Sequence, residues 1–331
     1  MSVVAASRGR HGRRAGRVLV ALGGNAIQRA HDRGTWNEAV AQMRRTAAAL
    51  VPALRRGSEL IVTHGNGPQV GNLLREAELG AAQVPVPPLH VIGAESQGQL
   101  GYLIAQELGG ELRRRGIDRS VLPIVSRTEV SLHDPAFRSP SKPVGQFYPT
   151  RVARALARRL HWTIREDPGR GGWRRVVASP QPRRWLEGPT VRRLLDAGAG
   201  ALTIFVVSGG GGIPVVRRRG RWEGVDAVID KDRAAALVGE TLAAETLAIV
   251  TDVPAAAIGF RTDHPKWLGK VDLDDLVRYW RRGEFAEGTM GPKVEAGIRF
   301  LRRGGRRFVI TDVGSLAEAL SGRAGTRVAS P

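Results

Sequence analysis

Five of the 51 Lys and Arg residues in this 331-residue chain are lysines: Lys142, Lys231, Lys266, Lys270 and Lys293. A chain that uses arginine almost everywhere keeps lysine where a compact ammonium is needed and a planar guanidinium does not fit. Lys231 stands between two acids in Val228-Ile229-Asp230-Lys231-Asp232, at the expected start of a helix. Capping accounts for acids at such a position, but leaves the lysine between them unexplained. An ammonium there can bridge donor and acceptor oxygens of a transferred phosphoryl group, with Asp230 and Asp232 fixing it or accepting hydrogen bonds. Lys293 follows Gly288-Thr289-Met290-Gly291-Pro292, with the proline expected at the first helical position. A cation in a first turn opposes the helix dipole, and a bound phosphate would resolve that conflict. Lys142, in Pro140-Ser141-Lys142-Pro143, can swing in from a separate segment.

Three glycine-rich turns supply the complementary half of such a site. Gly23-Gly24-Asn25, Gly65-Asn66-Gly67 and Gly209-Gly210-Gly211-Gly212 each follow a short apolar run that reads as a buried strand. Glycine lets the backbone approach a ligand and present bare N–H groups, and a helix opening there adds its positive dipole end. In an open α/β sheet such turns gather beyond the carboxyl ends of the strands. Standard phosphate motifs are absent. There is no G-x-x-x-x-G-K-S/T, Gly65-x-Gly67-x-x-x-Gly71 misses the dinucleotide spacing, and Gly93-Ala94-Glu95-Ser96-Gln97-Gly98 does not match a G-x-S-x-G elbow.

The elements that must position these residues alternate. Strands are expected at 17–22, 59–63, 121–125, 201–207, 247–251 and 307–311, and helices at 36–56, 93–115, 230–242 and 292–303. Residues 217–223 read as a hairpin tip. Strands separated by helices imply parallel pairing in a covered sheet. Between about 129 and 172 the rhythm breaks around Pro135, Pro140, Pro143, Pro149 and Pro168, with a helix expected at 151–160 alone. This stretch reads as an arm or lid.

Composition narrows the alternatives. The chain has no cysteine, which excludes disulfides, thiolate metal sites and a cysteine nucleophile, and its seven histidines are scattered. No apolar run approaches the ~20 residues needed to cross a bilayer. The formal charge of +20 raises a nucleic-acid reading. Its arginines, however, lie in short runs such as 113–115, 217–219 and 302–307, which suit solvated faces. Residues 1–16 form a basic leader without the apolar core of a secretory signal, and read as a frayed terminus.

The strings ALGGNAI (21–27), THGNGPQVGNLL (63–74), SQGQLGY (96–102), SPSKPVGQFY (139–148), RRVVASPQP (174–182), SGGGGIPVV (208–216), GVDAVIDKD (224–232) and GTMGPKVEAGIRF (288–300) resemble, in order, those of carbamate kinases. The resemblance covers about residues 17–328. It implies the amino acid kinase fold, a three-layer αβα sandwich with a mainly parallel sheet and a small protruding subdomain at about 129–172. It further implies an N-terminal acceptor lobe at 17–208, a nucleotide lobe at 209–328, a cytoplasmic homodimer and a place in arginine metabolism. The implied reaction is ATP + carbamate ⇌ ADP + carbamoyl phosphate, with Mg²⁺ arriving on the nucleotide and neither a protein metal site nor a prosthetic group. By matching motif, Lys142, Lys231 and Lys293 resemble the phosphate-contacting lysines, and Gly23, Gly24, Asn25, Gly65, Asn66 and Gly67 the carbamate and phosphoryl cradle. Gly209, Gly210, Gly211, Gly212, Asp230 and Asp232 resemble nucleotide-side residues, with Met290 bordering the ATP pocket.

The chain departs from that pattern at Gln181, at Phe260–Pro265 and at Val313–Ala319. Two other readings compete, since a fold does not fix a function. One is a kinase of this fold for another small carboxylate or phosphonate, against which the Lys142 segment argues. The other is a non-catalytic nucleotide sensor or nucleic-acid binder.

Overall fold

The computed structural model describes residues 16–29, 32–54, 57–167, 171–260, 264–286 and 288–330, apart from the Asn25 side chain. Residues 1–15 of the basic leader and 261–263 of the divergent 260–265 stretch lie outside them.

The first elements are β1 (Arg17–Leu22), α1 (Trp36–Leu50), β2 (Glu59–His64), α2 (Gly67–Gly80), α3 (Leu89–Arg114) and β3 (Ser120–Pro123). A middle stretch holds β4 (Arg127–Glu129), β5 (Lys142–Tyr148), α4 (Thr150–Leu160), β6 (Thr163–Asp167), β7 (Gly172–Val177), β8 (Arg184–Trp185) and α5 (Gly188–Asp196). Next come β9 (Thr203–Val206), β10 (Ile213–Arg218), β11 (Arg221–Gly224), α6 (Lys231–Leu242) and β12 (Thr246–Val250). The chain closes with β13 (Ala257–Ile258), β14 (Lys266–Trp267), α7 (Leu273–Arg281), α8 (Met290–Arg302), β15 (Arg307–Thr311), α9 (Leu316–Ser321) and β16 (Thr326–Ala329).

The central sheet runs β16-β15-β12-β1-β2-β9-β3, parallel throughout except for the antiparallel edge strand β16. Strand periodicity divides its packing between two faces. Leu19 and Ala21 of β1 join a core with Ala235 of α6 and Val294 of α8, whereas Val20 and Leu22 join one with Met43 of α1 and Leu103 of α3. The α/β sandwich expected from the sequence is the fold observed. Because β1, β2, β9 and β12 are parallel, their carboxyl ends deliver Gly23, Gly65 and Ser208 to the same end of the sheet.

Several sequence expectations need correction. Residues 129–172 are not largely irregular, since β5, β7 and β6 form a three-stranded antiparallel sheet beside α4. Arginines sit over aromatic rings there, Arg174 at 4.9 Å from the Phe147 centroid and Arg175 at 5.0 Å from that of Trp162. These contacts accompany a small apolar cluster in which Val144 and Val177 pack with Val70 and Leu74. The strand placed at 201–207 begins at Thr203, after a short 3-10 turn at Ala199–Ala201. Helix α3 starts at Leu89, and α1 gives way after Leu50 to a 3-10 turn containing Pro52. Helix α8 starts at Met290, which puts Pro292 third and Lys293 fourth in the helix. The hairpin tip at 217–223 is the turn between antiparallel β10 and β11.

Candidate active site

The glycine turns are held in place by close packing. A Cβ on Gly23 would lie 2.6 Å from the Val250 carbonyl oxygen, so only glycine lets the turn after β1 close over β12. After β9, Ser208, Gly210, Gly211 and Gly212 all have positive φ. A Cβ on Gly210 would lie 2.1 Å from the Asn66 side chain, so this turn nests directly against the one after β2. Gln97 of α3 fixes the nest from beneath. Its amide donates to the Ser126 and Gly209 carbonyls at 3.1 Å each and accepts from the Ser126 N–H at 2.7 Å. Asn66 donates to the Ser96 hydroxyl at 2.7 Å. His64, buried under the same nest, has its Nδ1 3.0 Å from the Gly65 carbonyl. Burial pushes its pKa down to about 4, so the ring is neutral near pH 7.

On the other wall, α6 and α8 pack side by side and share one carboxylate. Asp232, 3 % exposed, accepts from Lys231 on one oxygen and from Lys293 at 3.1 Å on the other. Lys293 also donates to the Thr289 carbonyl at 3.2 Å, so protein acceptors offset its unfavourable place near a helix start. Asp230 caps α6, accepting from the Asp232 and Arg233 N–H groups at 3.0 and 3.4 Å. Its other oxygen takes Lys142 of β5 at 3.0 Å. Burial would raise the Asp230 carboxyl, but Lys142, Lys231 and the Asp232 N–H outweigh it and hold the pKa at about 2. Lys231 is lowered, first by burial and further by the neighbouring Lys293, against the pull of Asp232.

Three ammoniums against two carboxylates leave one positive charge uncompensated in a largely buried centre. Burying each ion costs several kcal/mol unless it is paired. An anionic ligand would neutralise that excess. The lysines meet the glycine turns directly, for a Cβ on Gly65 would sit 3.1 Å from Cδ of Lys231 and 3.7 Å from the Gly24 nitrogen.

A cleft of about 1230 Å³ opens from this centre. Asn66, Gly67, Lys142, Gly209, Gly210, Gly212 and Asp230 line it, so residues singled out from all parts of the sequence converge. Lys231, Lys293 and Asp232 are not among the residues that line it. Met290 packs against the core, between Thr289 and Gly291 that face the cleft. The wall also contains residues that the motifs did not single out. Arg233 donates through two nitrogens to one oxygen of Glu295, at 3.0 and 2.9 Å, and both side chains line the cleft beside Phe285 and Trp280. In a sequence so rich in arginine nothing marks Arg233. Gln97 and Ser96 were more accessible to inference, as polar residues on the otherwise apolar buried face of α3.

Among the described residues no three His, Asp or Glu side chains converge as a metal-binding group, and no helix is long and apolar enough to cross a membrane.

The chain matches the amino acid kinase family model over residues 16–312. It is 45% identical over 314 residues to a carbamate kinase of Pyrococcus horikoshii, covering 94% of this chain and 98% of that protein. It is 47% identical over 315 residues to a carbamate kinase of Thermococcus kodakarensis, with the same coverage. A solved structure of the carbamate kinase from Giardia lamblia bound to AMP-PNP superposes with a TM-score of 0.87 at 36% identity, covering 95% of this chain and 98% of the other. With the family model and these likenesses spanning nearly its whole length, the chain belongs to the amino acid kinase family.

Proposed function

We propose that this protein is a carbamate kinase, catalysing ATP + carbamate ⇌ ADP + carbamoyl phosphate. The observation that carries the reading is the cationic centre in which Lys231 and Lys293 share Asp232 while Lys142 reaches Asp230, set against the glycine turns. Its near full-length likeness to carbamate kinases supports the choice of acceptor.

In the direction of ATP formation, the bond from phosphorus to the carbamate oxygen breaks as a bond to the terminal oxygen of ADP forms. Carbamate leaves as a carboxylate-type anion, so no proton needs to be delivered to it, and the total charge is unchanged. The protein's task is to align the two oxygens and neutralise the charge spread over the moving group. Lys231 and Lys293 supply fixed positive charge from two helices, and Lys142 adds a third from the arm. Gly23, Gly24, Asn25, Gly65, Asn66 and Gly67 form the cradle for carbamate and the moving group. Gly209–Gly212, Asp230 and Asp232 face the nucleotide side, with Met290 at its border. The acceptor lobe is thus 17–208 and the nucleotide lobe 209–328. Mg²⁺ carried by the nucleotide would offset phosphate charge, and Asp230 and Glu295 are cleft carboxylates able to offer it oxygen. The reading extends to a cytoplasmic homodimer serving arginine metabolism, as the sequence resemblance implies.

The test is ATP formation from ADP, Mg²⁺ and carbamoyl phosphate by the purified protein, with acetyl phosphate as the comparison. Rapid ATP formation from carbamoyl phosphate alone is expected. A preference for acetyl phosphate, or ADP binding without turnover, would give the acceptor side to another acid or the fold to a sensor.

A further inference from the structure

The β5–β7–β6 arm meets the second half of the chain through two ion pairs that bracket one short segment. Lys142 on β5 reaches Asp230, and Arg175 on β7 reaches Asp226, NH2 to Oδ2, at 3.5 Å. Strand register ties the two together. In the β5–β7 pairing Lys142 lies opposite Val177 and Val144 opposite Arg175. Beyond β7, Ala178 forms a parallel bridge with Ala227, and the Val228 N–H donates to the Ala178 carbonyl at 2.9 Å. Residues 226–230 therefore run beside the end of the arm, with one arm cation at each end.

Arg175 is built into this junction. Its side chain is 16 % exposed, lies over the Trp162 ring and neighbours Glu78, which accepts from the Tyr148 hydroxyl at 2.6 Å. Burial lowers its pKa, while Asp226 and Glu78 act in the opposite direction. Asp226 is anchored in turn. It accepts the N–H of Leu89, the first residue of α3, at 3.0 Å and faces His90 Nδ1 at 3.4 Å. A slip of one residue between β7 and this segment would carry Lys142 about 3.3 Å along the strand direction. That exceeds what a hydrogen bond to Asp230 tolerates.

We propose that Arg175 is a positioning residue which, anchored on Asp226, sets the register of the arm against residues 226–230 and thereby holds Lys142 at the transfer site. The kinetic part of this inference rests on the carbamate kinase reading; the structural part does not.

The experiment is a double-mutant cycle between Arg175→Gln and Lys142→Met, read as kcat and KM for ATP formation from carbamoyl phosphate. Arg175→Gln should lower kcat by about tenfold to a hundredfold in the wild-type background, the scale of a misplaced catalytic group. In the Lys142→Met background it should change kcat by less than about twofold, because the group it positions is already absent. Equal losses in both backgrounds would overturn the proposal. Arg175→Lys, which keeps the charge beside Asp226, should retain more turnover than Arg175→Gln. Should Arg175→Gln fail to fold, Asp226→Asn serves in the same cycle, since its amide oxygen can still accept from Leu89. Hydrogen exchange without substrate gives an independent reading. Amides of 142–148 should exchange faster in Arg175→Gln, and unchanged exchange would overturn the proposal. Wild-type protein inactive with carbamoyl phosphate would instead defeat the functional reading, leaving the exchange result to decide the role of Arg175.

Discussion

The cationic centre is assembled in two different ways. Lys231 and Lys293 project from packed helices α6 and α8 onto one buried carboxylate, with side chains 17 and 14 % exposed. Lys142 comes from a separate small sheet, is 34 % exposed and meets a different carboxylate. The first arrangement is preorganised by the core of the main sheet, so its charge is in place before substrate enters. The second depends on how the arm lies against residues 226–230. On the proposed function, the helices would supply fixed electrostatics and the arm would deliver an additional charge.

The sharpest way to break this comparison is to remove the carboxylate that the helix lysines share. Asp232→Asn leaves two neighbouring ammoniums without their anion, and should lower thermal stability by about 3–5 kcal/mol. Added phosphate or sulfate should restore much of that stability by occupying the centre. Thermal melts with and without the anion check this, and a variant indifferent to both changes would mean that the lysines do not depend on Asp232. Lys142→Met should act more weakly on the fold, since Asp230 keeps its two N–H donors and the nearby Lys231. It should still cost about 10²-fold in kcat, as loss of one transition-state contact does. Steady-state kinetics alongside a melt separates the two effects. An equally large stability loss would erase the distinction between arm and helices.

A smaller effect concerns the support beneath the glycine turns. His64 has a folded pKa of about 4 against 6.5 for the free side chain. Between these values the unfolded chain takes up a proton that the folded one does not, so stability falls as pH drops from about 6.5 to about 4. The loss approaches about 3 kcal/mol at the lower end. His64→Gln should flatten that part of the stability–pH curve, as urea unfolding across the window would reveal. An unchanged slope would place the acid sensitivity elsewhere.

All three lysines and the glycine turns were legible in the sequence, because lysine is scarce here and each turn follows a buried strand such as Arg17–Leu22. The strands of the arm were not, because β6 and β7 carry arginines and acids where an apolar alternation would announce them. Arg233 was hidden for a related reason. Where arginine is everywhere, its presence at a cleft is uninformative until the fold puts it there. The start of α8 was misplaced because Pro292 fits the first turn generally, and Met290 and Gly291 give no cap signal of their own.

On the proposed function, fixed positive charge on Lys231 drives phosphoryl transfer. The most direct test compares wild type and Lys231→Met in ATP formation from ADP and carbamoyl phosphate, with ADP affinity measured by calorimetry on the same samples. A fall in kcat of about 10³-fold or more is expected, with ADP affinity and folding retained. Turnover near the wild-type rate in the folded variant would contradict it.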